Sequence, residues 1–276
     1  MFEILDFDAN FKAYLEKWIE LNKGKFKTLE QMEDAVPQVY LRWLNSPAAF
    51  LEGETPGAYF QKYSSAPELV KWLRLYDEKG VSAPEMLLDR ITDLGSESLK
   101  PLLFTAGNEK YPPSLRMTAL NLIKELDAGS EPMALCFKLI DTREENDELA
   151  DVAAELMQSN AEGLLDEIIA RLPGASPEAR ATYLDILADH PGDERVFDEL
   201  LSAFETDRQR CALYASLLGK LGDERALDAL NRALDREEIN YLDYIEIRDA
   251  IEALGGECAH ERDFNGDPYY ETLKGE

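Results

Sequence analysis

The sequence is poor in the side chains that most often carry out catalysis or hold metal ions. Its 276 residues include two histidines and three cysteines, and Cys136, Cys211 and Cys258 form no CxxC pair. Cysteines this sparse suit a reducing compartment better than a disulfide framework. No P-loop, GxGxxG, GxSxG or HExxH motif is present, so the sequence favours a non-enzymatic protein without a cofactor.

Long apolar segments are missing as well. No stretch approaches the roughly 18 uncharged apolar residues that a membrane-spanning helix requires. The first residues, Met1-Phe2-Glu3-Ile4, lack the basic start and the apolar run of a signal peptide. We therefore expect a cytoplasmic protein.

Basic residues are strongly outnumbered. The chain has 29 lysines and arginines against 56 acidic residues, a net charge of −27, and residues 81–276 account for −24 of it. An acidic surface repels phosphate groups, which argues against nucleic acid or an anionic membrane as a partner, and attracts basic proteins. The alternative is that the charge only keeps the protein soluble.

Aromatic residues are concentrated at the other end of the chain. Residues 1–80 contain 14 of the 26 aromatic residues, including all three tryptophans. Helical spacing of apolar residues predicts helices there, with Pro37 kinking or splitting the second one. We expect three regions: an aromatic-rich helical domain at 1–80, repeats at 81–258 and an irregular tail at 259–276. An exposed aromatic residue in the segment 45–57 would mark an interaction site.

Two stretches that begin thirty residues apart resemble each other. Residues 180–204 read RATYLDILADHPGDERVFDELLSAF, and residues 210–234 read RCALYASLLGKLGDERALDALNRAL. A repeat of this length is typical of a solenoid, in which each unit buries its apolar face against its neighbours. The predicted helix pairs are 84–94 with 97–105, 113–126 with 131–140, 147–158 with 161–172, 177–188 with 193–204, and 207–221 with 223–234, followed by a last helix at 241–254.

The repeat resembles the HEAT family, in particular the short HEAT-like units of phycobilisome lyases, over residues 84–255. The resemblance rests on an arginine early in the first helix (Arg116, Arg180, Arg210), on the leucine and alanine spacing, and on the Gly-Asp-Glu-Arg turn. It implies an all-α, right-handed α-α superhelix whose second helices line a concave groove. Such arrays serve mostly as binding scaffolds. The unit at 147–172 departs from the pattern, with Glu148 in the arginine position.

Alignment of the last three second helices places six carboxylates in two columns. Residues four apart share one helix face, so these acids form what we call the acidic ladder: Glu162, Asp166, Glu194, Asp198, Glu224 and Asp228. By the resemblance, the ladder faces the groove and would bind a basic peptide or protein. The alternative is that acids are simply favoured at helix starts, with Asp193 and Asp223 as N-caps.

The remaining charged clusters favour structural roles. We expect Arg116, Arg180 and Arg210 to bridge to turn carboxylates such as Asp193 and Asp223 in adjacent units. Near the end, the possible ligands Cys258, His260, Asp263 and Asp267 match no zinc pattern, and the glycine of the segment 263–267 is misplaced for a calcium loop. We therefore expect no metal site.

The sequence favours an interaction scaffold that binds a protein or peptide, a basic one being favoured by the charge, in an acidic groove. The alternative is an accessory or lyase-like enzyme that handles a small ligand at the junction of the two domains. An aromatic-lined pocket near residues 72–90 would support that alternative. A third possibility is that residues 1–80 hold the partner.

Overall fold

The computed structural model describes residues 4–126, 128–237, 239–258 and 262–274. Over these residues the protein is 72% helical and contains no strand, which confirms the expected all-α class. The chain folds into two compact units, Met1–Leu135 and Cys136–Glu276. This division lies beyond the boundary expected near residue 80, and the three-part organisation stays a prediction.

The first unit is built from short helices joined by tight turns. Its helices are α1 (Phe7–Asn22), α2 (Leu29–Glu33), α3 (Val36–Leu44), α4 (Ala66–Lys79), α5 (Glu85–Asp93), α6 (Ser96–Gly107) and α7 (Pro113–Glu125). Two 3-10 segments, Ala49–Leu51 and Pro56–Lys62, connect α3 to α4. Pro37 splits the second predicted helix as expected, because α2 ends before it and Pro37 stands in the first turn of α3.

The helix α8 (Met133–Asp141) runs across the division, and the helices of the second unit follow it. They are α9 (Glu148–Gln158), α10 (Leu165–Arg171), α11 (Pro177–Ala188), α12 (Glu194–Thr206), α13 (Cys211–Leu221), α14 (Leu227–Leu234), α15 (Tyr241–Ala253) and α16 (Pro268–Lys274). Short 3-10 segments cover Ala161–Gly163, Leu172–Gly174, Arg208–Arg210 and Glu224–Ala226.

The starts of these helices follow from local chemistry. Ser176 accepts a hydrogen bond from the amide of Ala179 at the start of α11, and Asp147 accepts from two amides at the start of α9. Such side-chain caps satisfy amides that have no partner within the helix. Three predicted helices, at 161, 207 and 223, begin instead with a 3-10 turn before the α-helix.

The expectation of an irregular tail was wrong for residues 268–274, which form α16. The helix is too short to show an apolar period, but its start is marked chemically. Asp267 accepts hydrogen bonds from the amides of Tyr269 and Tyr270 at 3.0 and 3.1 Å, and Pro268 occupies the first position. Phe264 packs against Tyr241 and ties the segment to α15.

The two ends of α1 differ in how firmly they are packed. Phe7 is the buried residue of this helix, and the hydroxyl of Tyr76 donates to the carbonyl of Leu5 just before it, at 2.9 Å. At the other end, 81% of Leu21 is exposed. None of the described helices is both long and apolar enough to cross a lipid bilayer.

In the second unit, α13 and α15 lie unusually close together at Gly219. A Cβ atom added there would lie 3.1 Å from the Cα of Ala250 and 3.2 Å from its Cβ. Real Cβ atoms rarely come this near to another helix backbone, so the absence of a side chain at Gly219 permits the packing distance.

We predict that Gly219→Ala lowers the free energy of unfolding by roughly 1–2 kcal/mol, because overpacking outweighs the gain of about 1 kcal/mol in helix propensity. Urea denaturation measures the difference. The control is Gly163→Ala, where an added Cβ meets nothing within 4 Å and we expect stability to stay the same or rise slightly. A Gly219→Ala variant as stable as the parent would contradict the proposed close approach.

Candidate functional site

The acidic ladder is fully on the surface. All six side chains are exposed in the structure. Glu162 and Glu224 lie in the 3-10 turns before α10 and α14, and Glu194 is the first residue of α12. Their partners in the second column lie within the three helices, at Asp166, Asp198 and Asp228. Both columns therefore follow the starts of α10, α12 and α14.

Arg195 links the starts of two of these helices. Asp193 caps α12, since its Oδ1 accepts from the Arg195 amide at 3.0 Å. The same carboxylate accepts from Nε and Nη2 of the Arg195 guanidinium at 3.0 and 2.6 Å. The remaining nitrogen, Nη1, donates to Oδ1 of Asp166 at 2.8 Å. One arginine thus joins its own helix start to α10.

Arg225 makes the same contacts with its capping aspartate thirty residues later, but it reaches the preceding second helix at the other column of the ladder. Its amide and Nε donate to Oδ1 of Asp223 at 3.0 Å each, and Nη2 donates to Oδ2 at 2.6 Å. Its Nη1 donates to Oε1 of Glu194 at 2.6 Å. The guanidinium also lies 4.1 Å from the ring centroid of Phe197, a favourable cation–π distance.

These contacts confirm Asp193 and Asp223 as helix caps, and they correct the predicted arginine pairs. Arg180 pairs with Glu199 at 2.6 Å, and Arg210 pairs with Glu178 at 2.7 Å. Arg116 donates instead to the carbonyl of Ala106 at 2.8 Å. The capping aspartates pair instead with Arg195 and Arg225, which follow them by two residues.

Sequence reasoning missed Arg195 and Arg225 as members of the site. In the sequence they appeared only as the final arginine of the repeated Gly-Asp-Glu-Arg turn. The signal that could have identified them is that the arginine follows the capping aspartate by two residues. At a helix start this spacing lets one carboxylate accept from the backbone and from the guanidinium together.

Four carboxylates of the ladder have no cationic partner among the described residues. Among the described residues, the carboxylates of Glu162, Asp198, Glu224 and Asp228 form no ion pair or side-chain hydrogen bond. The unit around them is acidic throughout, with 35 acidic and 14 basic residues in 136–276, a balance of −21. The surface can therefore attract cationic groups, although a single exposed ion pair contributes little.

The pKa values of the two capping aspartates are lowered. For Asp193 the main cause is the hydrogen bond from the Arg195 side chain, and for Asp223 it is the bond from Arg225, with backbone amides adding to both. Both groups favour the charged carboxylate. Their contribution to stability is therefore complete above the unfolded-state pKa of about 3.9 and is lost as the pH falls below it.

We predict that the double variant Asp193→Asn/Asp223→Asn is less stable than the parent at pH 7 and that this loss shrinks towards pH 3. Asparagine caps helices about as well as aspartate, so the change isolates the charge. Denaturant unfolding at the two pH values measures it. The control, Asp198→Asn/Asp228→Asn, has the same charge change and should cause no loss. An equal loss at both pH values would show that the charge does not carry the effect.

The metal ligands considered in the sequence are not assembled by the described residues. No group of three or more histidine, cysteine, aspartate or glutamate side chains is placed to hold a metal ion within them. His260 of the considered cluster lies outside the described residues. Asp263 accepts from the Asn265 amide, and Asp267 caps α16, so both have structural contacts.

A second candidate site is an aromatic cavity of about 330 Å³ in the first unit. Its aromatic walls are Phe50, Tyr59, Phe60, Trp72 and Tyr76. Three charged residues, Glu52, Glu54 and Lys62, line it as well. Phe50 belongs to the irregular segment 45–57 that the sequence singled out, and it is only partly exposed.

An aromatic-lined pocket near residues 72–90 would have supported the enzyme alternative, but the cavity centred on that segment is not aromatic. The cavity at that place, about 230 Å³, is lined by aliphatic and small polar residues such as Leu73, Val81 and Leu115 and by no aromatic residue. Trp72 and Tyr76 face the other cavity, whose remaining walls come from residues 4–62. Segments that are distant in sequence supply these walls, so spacing along the chain did not reveal them.

The geometry therefore offers two candidate sites, the acidic ladder on the second unit and the aromatic cavity in the first. Comparison with known proteins assigns no role to either site. No known protein-family model matches the chain, and no curated protein matches it at a significant level.

Proposed function

We propose that this protein is a non-enzymatic interaction scaffold that binds a protein or peptide, a basic one in particular, at the acidic ladder. The observation that carries the proposal is the uncompensated charge of Glu162, Asp198, Glu224 and Asp228 on successive helix starts. The strong acidity of the surrounding unit adds to it. We further propose a cytoplasmic location.

We also propose that residues 84–255 form a HEAT-like, right-handed superhelix. The support is that Arg195 is held by Asp193 as Arg225 is held by Asp223, and that both arginines reach the preceding second helix, at Asp166 and at Glu194 respectively. Each set of contacts connects a helix start to the preceding second helix, as stacked repeats require. In this arrangement the ladder would line the concave groove.

Fixed spacing makes the ladder suitable for an extended peptide. Packed helices lie about 8–10 Å apart, and a peptide in the extended polyproline II conformation has three residues per turn and advances about 3.1 Å per residue. Basic side chains three residues apart in such a peptide share one face and would meet carboxylates on successive helices. Arg195 and Arg225, each held by its own capping aspartate, would maintain this spacing and repel a misplaced cation.

The alternative, an accessory or lyase-like enzyme that acts on a small ligand at the domain junction, has less support. The cavity near residues 72–90, where the sequence placed this junction, has no aromatic wall and a single carboxylate, Asp77. No specific observation there favours a reaction.

We predict that Asp198→Lys/Asp228→Lys weakens the binding of a peptide with lysine at every third position by at least tenfold at low salt. Reversing two carboxylates removes two attractions and adds two repulsions. Fluorescence anisotropy at about 50 and 200 mM salt measures affinity, and binding to the parent should fall as salt rises.

The matched control is Glu144→Lys/Glu148→Lys, which changes two exposed acids of the same unit by the same total charge, one in the turn before α9 and one at the first residue of α9. We expect it to alter affinity less than threefold. Equal weakening by both variants would mean that only net charge acts, and unchanged binding by the Asp198→Lys/Asp228→Lys variant would rule out the ladder as the binding surface.

A further inference from the structure

The aromatic cavity of the first unit has firm walls. Phe60 is 1% exposed and Trp72 is 5% exposed, and their rings meet edge to face at 5.6 Å. Phe7 packs behind the cavity against Phe50 and Tyr59, with centroid distances of 5.6 and 5.7 Å. Rings held by this many neighbours keep their positions, so the space between them is largely preformed.

An ammonium group of the chain itself already lies against this aromatic wall. Nζ of Lys62 is 4.3 Å from the ring centroid of Tyr59 and 5.4 Å from that of Tyr63. Both distances fall within the range of cation–π attraction. The same nitrogen donates to Oε1 of Glu54 at 2.6 Å. The wall and one carboxylate therefore form favourable surroundings for a positive charge.

A second carboxylate at the cavity has no cation to balance it. Among the described residues, the Glu52 carboxylate forms no ion pair or hydrogen bond. Its backbone is in the left-handed region, with φ 54°, a conformation that costs energy for a residue with a side chain. The loop around it is closed by bonds from the amides of Ala48 to the carbonyl of Glu54 and of Gly53 to the carbonyl of Ala48, each 3.0 Å.

The charges of the described residues that line the cavity leave one negative charge in excess. Lys62 neutralises Glu54, and Glu52 remains. Burial, together with the hydrogen bond that the Tyr59 hydroxyl shares with Tyr63, raises the pKa of Tyr59 to about 12, so this phenol stays neutral near pH 7. Aromatic walls with one unbalanced carboxylate complement a single positive charge and disfavour an anion.

We propose that this cavity binds a small organic ammonium cation, with the positive group against Tyr59 and its charge balanced by Glu52. A quaternary ammonium fits best, since it offers an apolar surface to the rings and carries its charge without a hydration shell as tight as that of a primary amine. This site is separate from the acidic ladder, and either one can fail without the other.

The test is a calorimetric titration of the full chain with choline and with its neutral carbon isostere, 3,3-dimethylbutan-1-ol. We expect choline to bind at least tenfold more tightly than the isostere, because only the charge differs. Equal affinity for the two ligands would show that the cavity binds apolar groups irrespective of charge, and it would contradict the proposal. A titration that detects no binding of choline would overturn the proposal as well.

Variants locate the binding. Tyr59→Leu should weaken choline about tenfold by removing the ring face, and Lys62→Gln should strengthen it severalfold by removing a competing ammonium. Glu52→Gln should weaken choline binding severalfold, whereas the control Glu20→Gln, which changes an exposed acid on α1, should not.

Glu52 and Lys62 are exposed, so their variants keep the fold even if Tyr59→Leu does not. Equal effects of Glu52→Gln and Glu20→Gln would overturn the proposal.

Discussion

The first amide protons of a helix have no acceptor within the helix. In the second unit two aspartates accept hydrogen bonds from such amides and also hold an arginine that contacts a neighbouring helix. Asp193 accepts from the backbone of α12 and from the Arg195 side chain together. The arginine is then oriented so that its last free nitrogen reaches the preceding helix at Asp166. One carboxylate thus caps its own helix and also orients the arginine that contacts the neighbouring helix. Asp223 does the same for Arg225.

Basic residues are scarce in the second unit, and several of its arginines link one helix to another. Arg171 pairs with Asp141 of α8 at 2.5 Å, and Arg210 joins its segment to Glu178 of α11. With 14 basic residues among 35 acids in this unit, cations are used between helices and the surplus carboxylates point to solvent. The acidity of the surface and the cohesion of the helices therefore have the same origin. The first unit differs, since its aromatic residues enclose a cavity.

Local features were predictable from the sequence, and features that depend on packing were not. The helix over residues 177–188 was found with the expected bounds, because Ser176 and Pro177 define its start chemically. The partner of Arg180 was missed, since the carboxylate that a guanidinium reaches depends on the angle between two helices. The aromatic cavity could not be located from the sequence for the same reason, because its walls come from segments as distant as Leu5 and Tyr76.

The uneven packing of α1 means that its amides do not share one stability. Around Phe7 the helix is held by buried rings and by the bond from Tyr76 to Leu5, so those amides exchange with solvent deuterium only when the unit opens. Around Leu21 little buried apolar surface opposes fraying, so the last turns of α1 open without the rest. Proteases that require several residues of extended chain would cut first in the segment between α1 and α2, well before the cavity is lost.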